Sequence, residues 1–451
     1  MRCVPLLLVF LACGDPQATL LRAVRPVVGV DGACTLVPDR RDDPREIVGR
    51  LHCWGDGETR ARPRPDVSPD ILRDLAVGNP SCAVQVSTER LLCWGPNESG
   101  QIGDSTREAR ARATRVTSVG VPLRRPRVSR FGERGFACAP GDDGALRCWG
   151  AGERGQLGDG RRRDRTIPTP VRALELEGEE PLPLDADSVA LGAAHACARR
   201  VGGPGLVCWG ANDRGQLGDG TFTDREVPTR VRLPGLAPDG TPVQAGDGVP
   251  PVDVLSVAAG RAHTCAVVTR PGDGLAQAGV LCWGENGLGQ LGDGSPGPPE
   301  RAPRFVRGLE TEGELTAAAT FLPLALGQDH GCAAVPRREG LGALGADTEL
   351  WCWGAAAEQQ TGLAGGALPS PEAVRVALPD GVGVVGTPSL GRAHGCVQLV
   401  DLEVAEGAFD AGGTRFGCWG ANDLGQLGDG STLASRRPQR VLGLPTEPLE
   451  P

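Results

Sequence analysis

Short apolar runs bounded by glycine and proline recur along the whole chain, for example Val254–Ala258 and Cys265–Val268. Runs of about four to six residues with such boundaries are typical of β-strands, because helices need longer periodic segments. The 68 glycines and 39 prolines supply the turns that closely spaced strands require. The pattern predicts an all-β protein.

Two motifs repeat at long intervals. Cys-Trp-Gly occurs seven times, and its tryptophans are Trp54, Trp94, Trp149, Trp209, Trp283, Trp353 and Trp419. Gly-Gln-Leu-Gly-Asp-Gly follows four of them, at 155–160, 215–220, 289–294 and 425–430, and a weaker copy follows Trp94. Self-similarity of this kind indicates supersecondary units that are stacked or arranged in a ring.

The aligned copies define a consensus unit. It starts with Pro-x-x-Val, as in 228–231, and continues through Gly-x-x-His-x-Cys-Ala, as in 260–266, to Cys-Trp-Gly and the closing glycine-rich motif. Two cysteine-bearing strands joined by a turn form a hairpin, and the tryptophan is expected to anchor the core between adjacent sheets. Four-stranded sheets repeated radially form a propeller.

The two ends of the repeat region predict how the ring closes. The first repeat, from about Val27 to Gly55, lacks an opening Pro-x-x-Val strand, whereas Pro438–Val441 has no repeat after it. We expect this last strand to complete the first blade, because an open array would need polar caps instead. The prediction is a seven-bladed β-propeller over residues 26–446, preceded by a leader (1–13) and a linker (14–25) and followed by a tail (447–451).

Fourteen of the sixteen cysteines pair locally, one pair in each repeat. The pairs are Cys34 and Cys53, Cys82 and Cys93, Cys138 and Cys148, Cys197 and Cys208, Cys265 and Cys282, Cys332 and Cys352, and Cys396 and Cys418. Such spacing favours disulfides in an oxidising compartment, each worth about 3 kcal/mol. The alternative is zinc, which would need two repeats to meet at one tetrahedral site.

The N-terminal residues predict export. Arg2 precedes an apolar run that ends in Leu11-Ala12-Cys13-Gly14, the shape of a signal peptide. A small residue before cysteine resembles a bacterial lipoprotein box, with Cys13 as the lipidated residue. An ordinary export signal and a misplaced start codon are the alternatives. Lipidation would anchor the protein in the cell envelope rather than make it span a membrane.

Composition excludes some chemistry. All 47 basic residues are arginine, so lysine-based catalysis is excluded, and the net charge of −9 argues against general nucleic-acid binding. One cluster departs from the overall acidity: Arg107, Arg110, Arg112, Arg115, Arg124, Arg125, Arg127 and Arg130. We interpret it as a solvated surface, with a polyanion site as the alternative.

The motif Cys-Trp-Gly-x-Asn-x-x-Gly-Gln-Leu-Gly-Asp-Gly with an upstream His-x-Cys-Ala resembles the regulator of chromosome condensation repeat family. The clearest copies are 208–220 and 418–430, and repeats one and six depart from the pattern. The resemblance implies a seven-bladed β-propeller. The eukaryotic namesake is a nuclear guanine-nucleotide exchange factor that binds chromatin, and we do not expect an exported chain to share that activity. Bacterial members are secreted or surface proteins, one type being an extracellular inhibitor of β-lactamase.

No residue pattern predicts catalysis or a cofactor. His195, His263, His330 and His394 share one slot, two residues before a repeat cysteine, and a packing role there is favoured over a metal ring. We expect each imidazole to bond to neighbouring backbone. The glycine-rich motifs lack the Asp-x-Asp-x-Asp order and final glutamate of calcium loops. Nucleophile elbows, phosphate loops and zinc-protease motifs do not occur.

The unequal spacing of the paired cysteines predicts a binding face. The longest intervals belong to blades five, six, seven and one, and their loops are expected to build one raised rim from residues 36–51, 267–280, 334–350 and 398–416. The long connectors before blades four to six are expected on the opposite face. The sequence thus predicts a non-enzymatic, monomeric, exported binding propeller for an unknown protein or glycan. An enzyme with an axial site and a structural envelope protein are the alternatives.

Overall fold

The chain is all-β. A computed structural model describes residues 26–37, 48–132, 134–172, 184–200, 206–233, 235–236, 242–243, 253–270, 277–309, 323–336, 348–363, 368–380, 382–401 and 415–444. These ranges contain thirty strands and no helix, which confirms the prediction of an all-β protein. The leader with Cys3 and Cys13, the linker and the tail lie outside the described residues. A helix long and apolar enough to cross a membrane is not found in the described ranges.

The strands form seven groups of four consecutive strands, which we call units 1 to 7. Units 1 and 2 join into one eight-stranded sheet because β3 also pairs with β5, and the short β17 (Gly235–Leu236) and β18 (Pro242–Val243) pair only with each other. Unit 1 is β1 (Val27–Val28), β2 (Gly32–Val37), β3 (Val48–Gly55) and β4 (Glu58–Pro63); unit 2 is β5 (Leu72–Ala76), β6 (Ser81–Gln85), β7 (Arg90–Gly95) and β8 (Arg110–Arg115); unit 3 is β9 (Arg127–Val128), β10 (Phe136–Pro140), β11 (Leu146–Gly150) and β12 (Arg165–Pro170); unit 4 is β13 (Leu184–Leu191), β14 (His195–Arg200), β15 (Leu206–Gly210) and β16 (Arg225–Arg230); unit 5 is β19 (Asp253–Ala259), β20 (His263–Arg270), β21 (Gln277–Gly284) and β22 (Glu300–Phe305); unit 6 is β23 (Leu324–Leu326), β24 (His330–Pro336), β25 (Thr348–Gly354) and β26 (Ser370–Arg375); unit 7 is β27 (Val382–Leu390), β28 (His394–Asp401), β29 (Arg415–Gly420) and β30 (Ser435–Arg440).

Each unit is an antiparallel meander in which only neighbouring strands pair. The first strands of units 3 to 7 contact one another in chain order, and the first strand of unit 7 contacts that of unit 1. First strands therefore lie at a common centre, and fourth strands lie at the periphery.

The predicted role of the last strand is wrong. Strand β30, which contains Pro438, pairs with β29 of its own unit, with Gly420 opposite Ser435. Unit 1 instead has its own fourth strand, β4, which pairs with β3. The Pro-x-x-Val segment therefore ends a unit rather than opening one. A repeating sequence has the same period from any starting strand, so only the hydrogen-bonded pairing fixes the frame.

Unit 7 nevertheless packs directly against unit 1. Backbone hydrogen bonds run from Gly57 N to Leu424 O (2.8 Å) and from Arg392 N to Val30 O (3.1 Å). A shared apolar cluster includes Trp54, Phe416 and Leu427. The two ends of the strand series are thus joined by packing and by hydrogen bonds between loops.

The core lies between units, and tryptophan anchors it. Six of the seven motif tryptophans are buried, and the indole Nε1 of Trp209 donates to Gln156 O of the preceding unit (2.9 Å). The same bond joins Trp149 to Gln101, Trp283 to Gln216, Trp353 to Gln290 and Trp419 to Gln360. Trp94 is only half-buried, because the preceding repeat lacks the glycine-rich motif that would cover it. The predicted anchoring role is confirmed for the other six.

All seven predicted cysteine pairs are disulfides. In each unit the two cysteines are directly opposite on the second and third strands, as Cys197 and Cys208 are in unit 4. Their Cα atoms are 4.1 Å apart, close to the spacing of about 4.5 Å for non-hydrogen-bonded cross-strand pairs. The meander itself therefore brings the thiols together.

Candidate functional site

The meander gives the molecule two different faces. At one end of unit 4, His195 pairs with Gly210, and Gly210 pairs with Arg225. This end carries the glycine-rich loops and the turns after the first strands, and we call it the motif face. At the other end Arg199 pairs with Leu206, and Leu184 pairs with Arg200. That end carries the loops between paired cysteines together with the connectors between units, and we call it the hairpin face.

The predicted rim belongs to the hairpin face. The strands of its four hairpins extend as far as pairs such as Val37 with Arg50 and Arg270 with Gln277. The loop tips lie outside the described residues. The prediction that the connectors lie on the opposite face is wrong. The connector before unit 4 ends where β13 begins, at Leu184, and Leu184 pairs with Arg200, the residue at which β14 enters its hairpin loop. Two antiparallel strands, the third and the fourth, lie between a hairpin loop and the next connector, so both kinds of loop emerge at the same end of the unit.

A buried asparagine organises the motif-face loops. Asn212 is fully buried; its Nδ2 donates to Asp219 Oδ1 (3.1 Å) and to Thr223 O (3.1 Å), and its Oδ1 accepts from Leu217 N (3.0 Å). Asp219 also pairs with Arg225 at 2.7 Å. Although burial acts to raise it, the pKa of Asp219 is lowered by bonds from Thr221 and Arg225. The carboxylate is engaged within the loop, which supports the structural interpretation over a calcium site.

Unit 6 forms the same loop with a different sequence. Gln359 adopts a left-handed backbone, with φ 65°, at the position that Gly155, Gly215, Gly289 and Gly425 occupy in other units. Gln360 O still accepts from Trp419, and Glu358 N donates to Gln360 Oε1 (2.8 Å). Unit 6 therefore keeps the loop geometry although it lacks the Gly-Gln-Leu-Gly motif.

The four slot histidines are buried one per unit and do not converge. His195 Nε2 lies 2.9 Å from Thr264 Oγ1 of the next unit, and both ring nitrogens of His263 and His330 lack hydrogen-bond partners. Desolvation lowers the pKa of each of the four to about 3. The expected bond to backbone is therefore wrong: each ring packs on the glycine of its own turn, where a Cβ at Gly192 would lie 2.2 Å from His195 Cε1. Such rings are neutral packing groups.

The arginine cluster is dispersed by the fold. Arg107 pairs with Asp164 (2.9 Å), Arg110 with Asp104 (2.7 Å) and Arg124 with Asp142 (2.6 Å). Arg130 points inward instead, to the centre of the molecule. The structure therefore supports a neutralised surface rather than one convergent polyanion site.

Ion pairs tie neighbouring units together across the motif face. Arg154 of unit 3 pairs with Asp224 of unit 4 at 2.6 Å, and Arg392 of unit 7 pairs with Asp31 of unit 1 at 2.8 Å. The pKa of Asp31 is raised above its ordinary value, chiefly by burial. The charge of Arg392 opposes this rise, and the charge of Asp423 adds to it. These exposed or half-buried pairs fix loop positions more than they stabilise the fold.

The exposed apolar side chains are concentrated on the motif face. Among the described residues, the large apolar side chains that are most exposed are Ile167 (41%), Phe222 (46%), Leu288 (40%), Leu368 (84%) and Leu433 (76%). All five lie in the segments that follow the tryptophan strands or in the first half of a fourth strand. These residues were not predicted from the sequence, although Phe222 and Leu433 each interrupt a polar segment that follows a glycine-rich motif.

Comparison with known proteins identifies the repeats. The regulator of chromosome condensation (RCC1) repeat profile matches residues 143–199 and 206–267. The chain is 27% identical over 278 residues to the human E3 ubiquitin-protein ligase HERC2, covering 58% of this chain and 5% of HERC2. It is 28% identical to the ultraviolet-B receptor UVR8 of Arabidopsis thaliana over 248 residues, covering 53% of this chain and 47% of UVR8. The chain thus matches less than half the length of these relatives.

Solved structures show the same architecture. Prp20p from Saccharomyces cerevisiae superposes with a TM-score of 0.59 at 16% identity, covering 94% of this chain and 89% of Prp20p. Human WBSCR16 gives a TM-score of 0.57 at 18% identity, covering 93% of this chain and 90% of WBSCR16. These likenesses show a propeller-like fold, and the repeat matches add the sequence signature. Residues 143–199 and 206–267 thus carry repeats of the regulator of chromosome condensation (RCC1) type.

Proposed function

We propose that the chain is a closed, seven-bladed propeller that acts as a non-enzymatic binding scaffold for another protein. The seven four-strand units and the contacts between units 7 and 1 support closure. Prp20p, which shares the fold, was described together with its binding to Gsp1p and histones. The partner of this chain is a different protein if the chain is exported.

The motif face is the proposed binding face. The observation that carries this is the arc of exposed apolar side chains, with Phe222, Leu288, Leu368 and Leu433 on four successive units. Apolar groups held on rigid loops lose little conformational entropy on binding, which makes them suitable anchors for a protein interface. In units 4, 5 and 7, hydrogen bonds centred on Asn212, Asn286 and Asn422 supply that rigidity.

The absence of catalysis is also part of the proposal. The four slot histidines are fully buried and held neutral, so they cannot exchange protons with a substrate at the surface. A catalytic histidine needs solvent or substrate access and a pKa near the working pH. An enzymatic function at the centre would need other groups.

Export with a lipid anchor at Cys13 completes the proposal. Seven disulfides are consistent with an oxidising environment. In the source cells, the full chain should incorporate labelled palmitate and a Cys13→Ser variant should not. Equal labelling of both, or full reactivity of the repeat cysteines with a thiol reagent before reduction, would count against export with lipidation.

The binding face can be tested by comparing two variants. One carries Phe222→Ser, Leu288→Ser, Leu368→Ser and Leu433→Ser, and the other has the four hairpin loops of the predicted rim shortened to glycine-serine turns. Each is immobilised and exposed to source-cell and culture-fluid extracts. We expect a protein partner to bind wild type and the loop-shortened variant but not the serine variant. Loss only in the loop-shortened variant would move the site to the hairpin face, and a retained glycan in place of a protein would change the partner class.

A further inference from the structure

Unit 3 has an unusual turn at the centre of the motif face. In units 4 to 7 only three residues join the first and second strands, as 260–262 do in unit 5, whereas in unit 3 seven residues separate the end of β9 at Val128 from the start of β10 at Phe136. The longer turn contains Phe131, which is 1% exposed, and Arg130. A longer segment here can reach into space that the short turns leave open.

Arg130 reaches the opposite side of the molecule. Its Nη1 donates to Leu390 O (2.9 Å) and its Nη2 to Leu326 O (3.1 Å). These carbonyls end the first strands of units 7 and 6, the two units farthest from unit 3 in a ring of seven. One guanidinium therefore links three units through their central strands.

The guanidinium has no carboxylate partner among the described residues. Burial lowers the pKa of Arg130 to about 10, and the guanidinium lies 5.5 Å from the ring centre of Phe131. The charge of Arg130 also contributes to lowering the pKa of His330, which places the cation beside the slot histidine of unit 6. Main-chain carbonyl oxygens, which carry partial negative charge, are its hydrogen-bond acceptors.

Glycine backbone and the buried slot histidines form the surrounding wall. A Cβ added to Gly260 would lie 2.7 Å from Gly327 O, and one added to Gly327 would lie 2.7 Å from Gly391 O. The turns of units 4 to 7 and of unit 1 are thus in close backbone contact through glycine. The longer turn of unit 3 adds the Arg130 side chain to this wall.

We propose that the first-strand carbonyls of units 6 and 7 form a guanidinium-binding site at the centre of the motif face, and that Arg130 is its built-in ligand. Arg130, which follows β9, then links unit 3 to units 6 and 7. Without the Arg130 side chain, the site should bind a small planar guanidinium compound. The N–H groups of a guanidinium lie in one plane and can donate to both carbonyl oxygens at once, whereas an ammonium group fits this arrangement less well.

Chemical rescue tests the site. Arg130→Ala is compared with wild type and with Arg112→Ala, a control at an exposed arginine of β8 for which the described residues provide no ion pair. Melting temperatures are measured without additive and with low-millimolar methylguanidinium, methylammonium or sodium chloride. We expect Arg130→Ala to melt several degrees lower and to regain most of that loss only with methylguanidinium. Wild type and Arg112→Ala should not respond to any additive.

Other outcomes would overturn the proposal. Arg130→Ala melting like wild type, or equal recovery with methylammonium and sodium chloride, would show that the carbonyls do not select a guanidinium. If Arg130→Ala does not fold alone, refolding with methylguanidinium supports the site when folded monomer returns and contradicts it when none does. Arg130→Lys, which keeps the charge without the planar fork, should remain destabilised; wild-type stability in this variant would also contradict the proposal.

Discussion

At the scale of single residues, the motif-face loops of units 2 to 7 share a left-handed backbone position at the residue before the recurring glutamine of the loop. Glycine occupies it in five of them, with φ between 70° for Gly289 and 81° for Gly100, and Gln359 occupies it in unit 6. A side chain in this conformation costs roughly 1–2 kcal/mol for an ordinary L-residue. Unit 6 therefore carries strain that its sister loops avoid.

Replacing Gln359 with glycine should relieve that strain. Because glycine also gains entropy in the unfolded chain, we expect the free energy of unfolding to rise by only about 0.5–1 kcal/mol. Urea unfolding measures it. The matched control is Gly289→Ala, whose Cβ would lie 2.9 Å from Pro371 Cα, and it should lose roughly 2 kcal/mol. A shift of both variants in the same direction would show that backbone conformation does not control these loops.

The four slot histidines predict a loss of stability in mild acid. Their pKa is lowered from 6.5 to about 3, so below pH 6.5 the unfolded chain binds protons that the folded chain does not. Stability is therefore fully present above pH 6.5 and falls as the pH drops toward 3. Each histidine contributes a slope of up to about 1.4 kcal/mol per pH unit.

Urea unfolding between pH 5 and 6.5 isolates this effect, because paired carboxylates respond below about pH 4. His263→Phe is the matched variant, since Phe136 fills the same slot in unit 3 and is fully buried there. We expect the slope of stability against pH to fall by somewhat less than one quarter in this variant, because burial also lowers the pKa of His52, which titrates in the same range. An unchanged slope would mean that the buried histidines do not titrate on unfolding.

At the scale of elements, each hairpin is fastened in its middle by a disulfide while each fourth strand is left as an edge. The fourth strands carry proline and arginine, as at Pro228 and Arg230 in β16. Proline and charge on an edge strand prevent pairing with other chains. Recurrent arginine at the periphery therefore has a structural explanation that requires no polyanion.

Removing one disulfide should destabilise the fold without changing it. For Cys396→Ala with Cys418→Ala, whose sequence separation is 22, we expect a loss of about 3 kcal/mol. The pair Cys138 and Cys148, with a separation of 10, should lose slightly less because loop entropy grows slowly with length. Urea unfolding of both double variants tests this, and a stability equal to wild type in either would show that the hairpins hold without their disulfides.

At the scale of the whole molecule, neighbouring units are held together by packing between them, and unit 7 also packs against unit 1. Each tryptophan strand lies against the glycine-rich loop of the unit before it, and Trp54 of unit 1 lies against the loop of unit 7, where a Cβ at Gly428 would be 2.7 Å from Trp54 Cδ1. The loop missing from unit 1 leaves Trp94 half-exposed. The weakest interface of this kind is therefore between units 1 and 2, where the pairing of β3 with β5 adds a second connection.

Two tryptophan variants compare these interfaces. Trp54→Ala should lose about 3–5 kcal/mol, because a buried indole is removed from the contact between units 7 and 1. Trp94→Ala should lose less than half as much, because its side chain is already partly solvated. Hydrogen exchange should show faster opening of β1 and β4 in Trp54→Ala. Equal losses in the two variants would show that the contact between units 7 and 1 contributes little.

The sequence by itself determined the strands, the repeat, the disulfide pairs and the tryptophan anchors, since each follows from local spacing within one unit. It did not determine the frame: Pro438 lies in the last strand of unit 7, and only hydrogen bonding between β29 and β30 decides that. Nor did it show that Gln359 forms a glycine-like turn or that Arg130 crosses to Leu326 and Leu390. Such contacts depend on residues far apart in the chain, and only the tertiary structure brings those residues together.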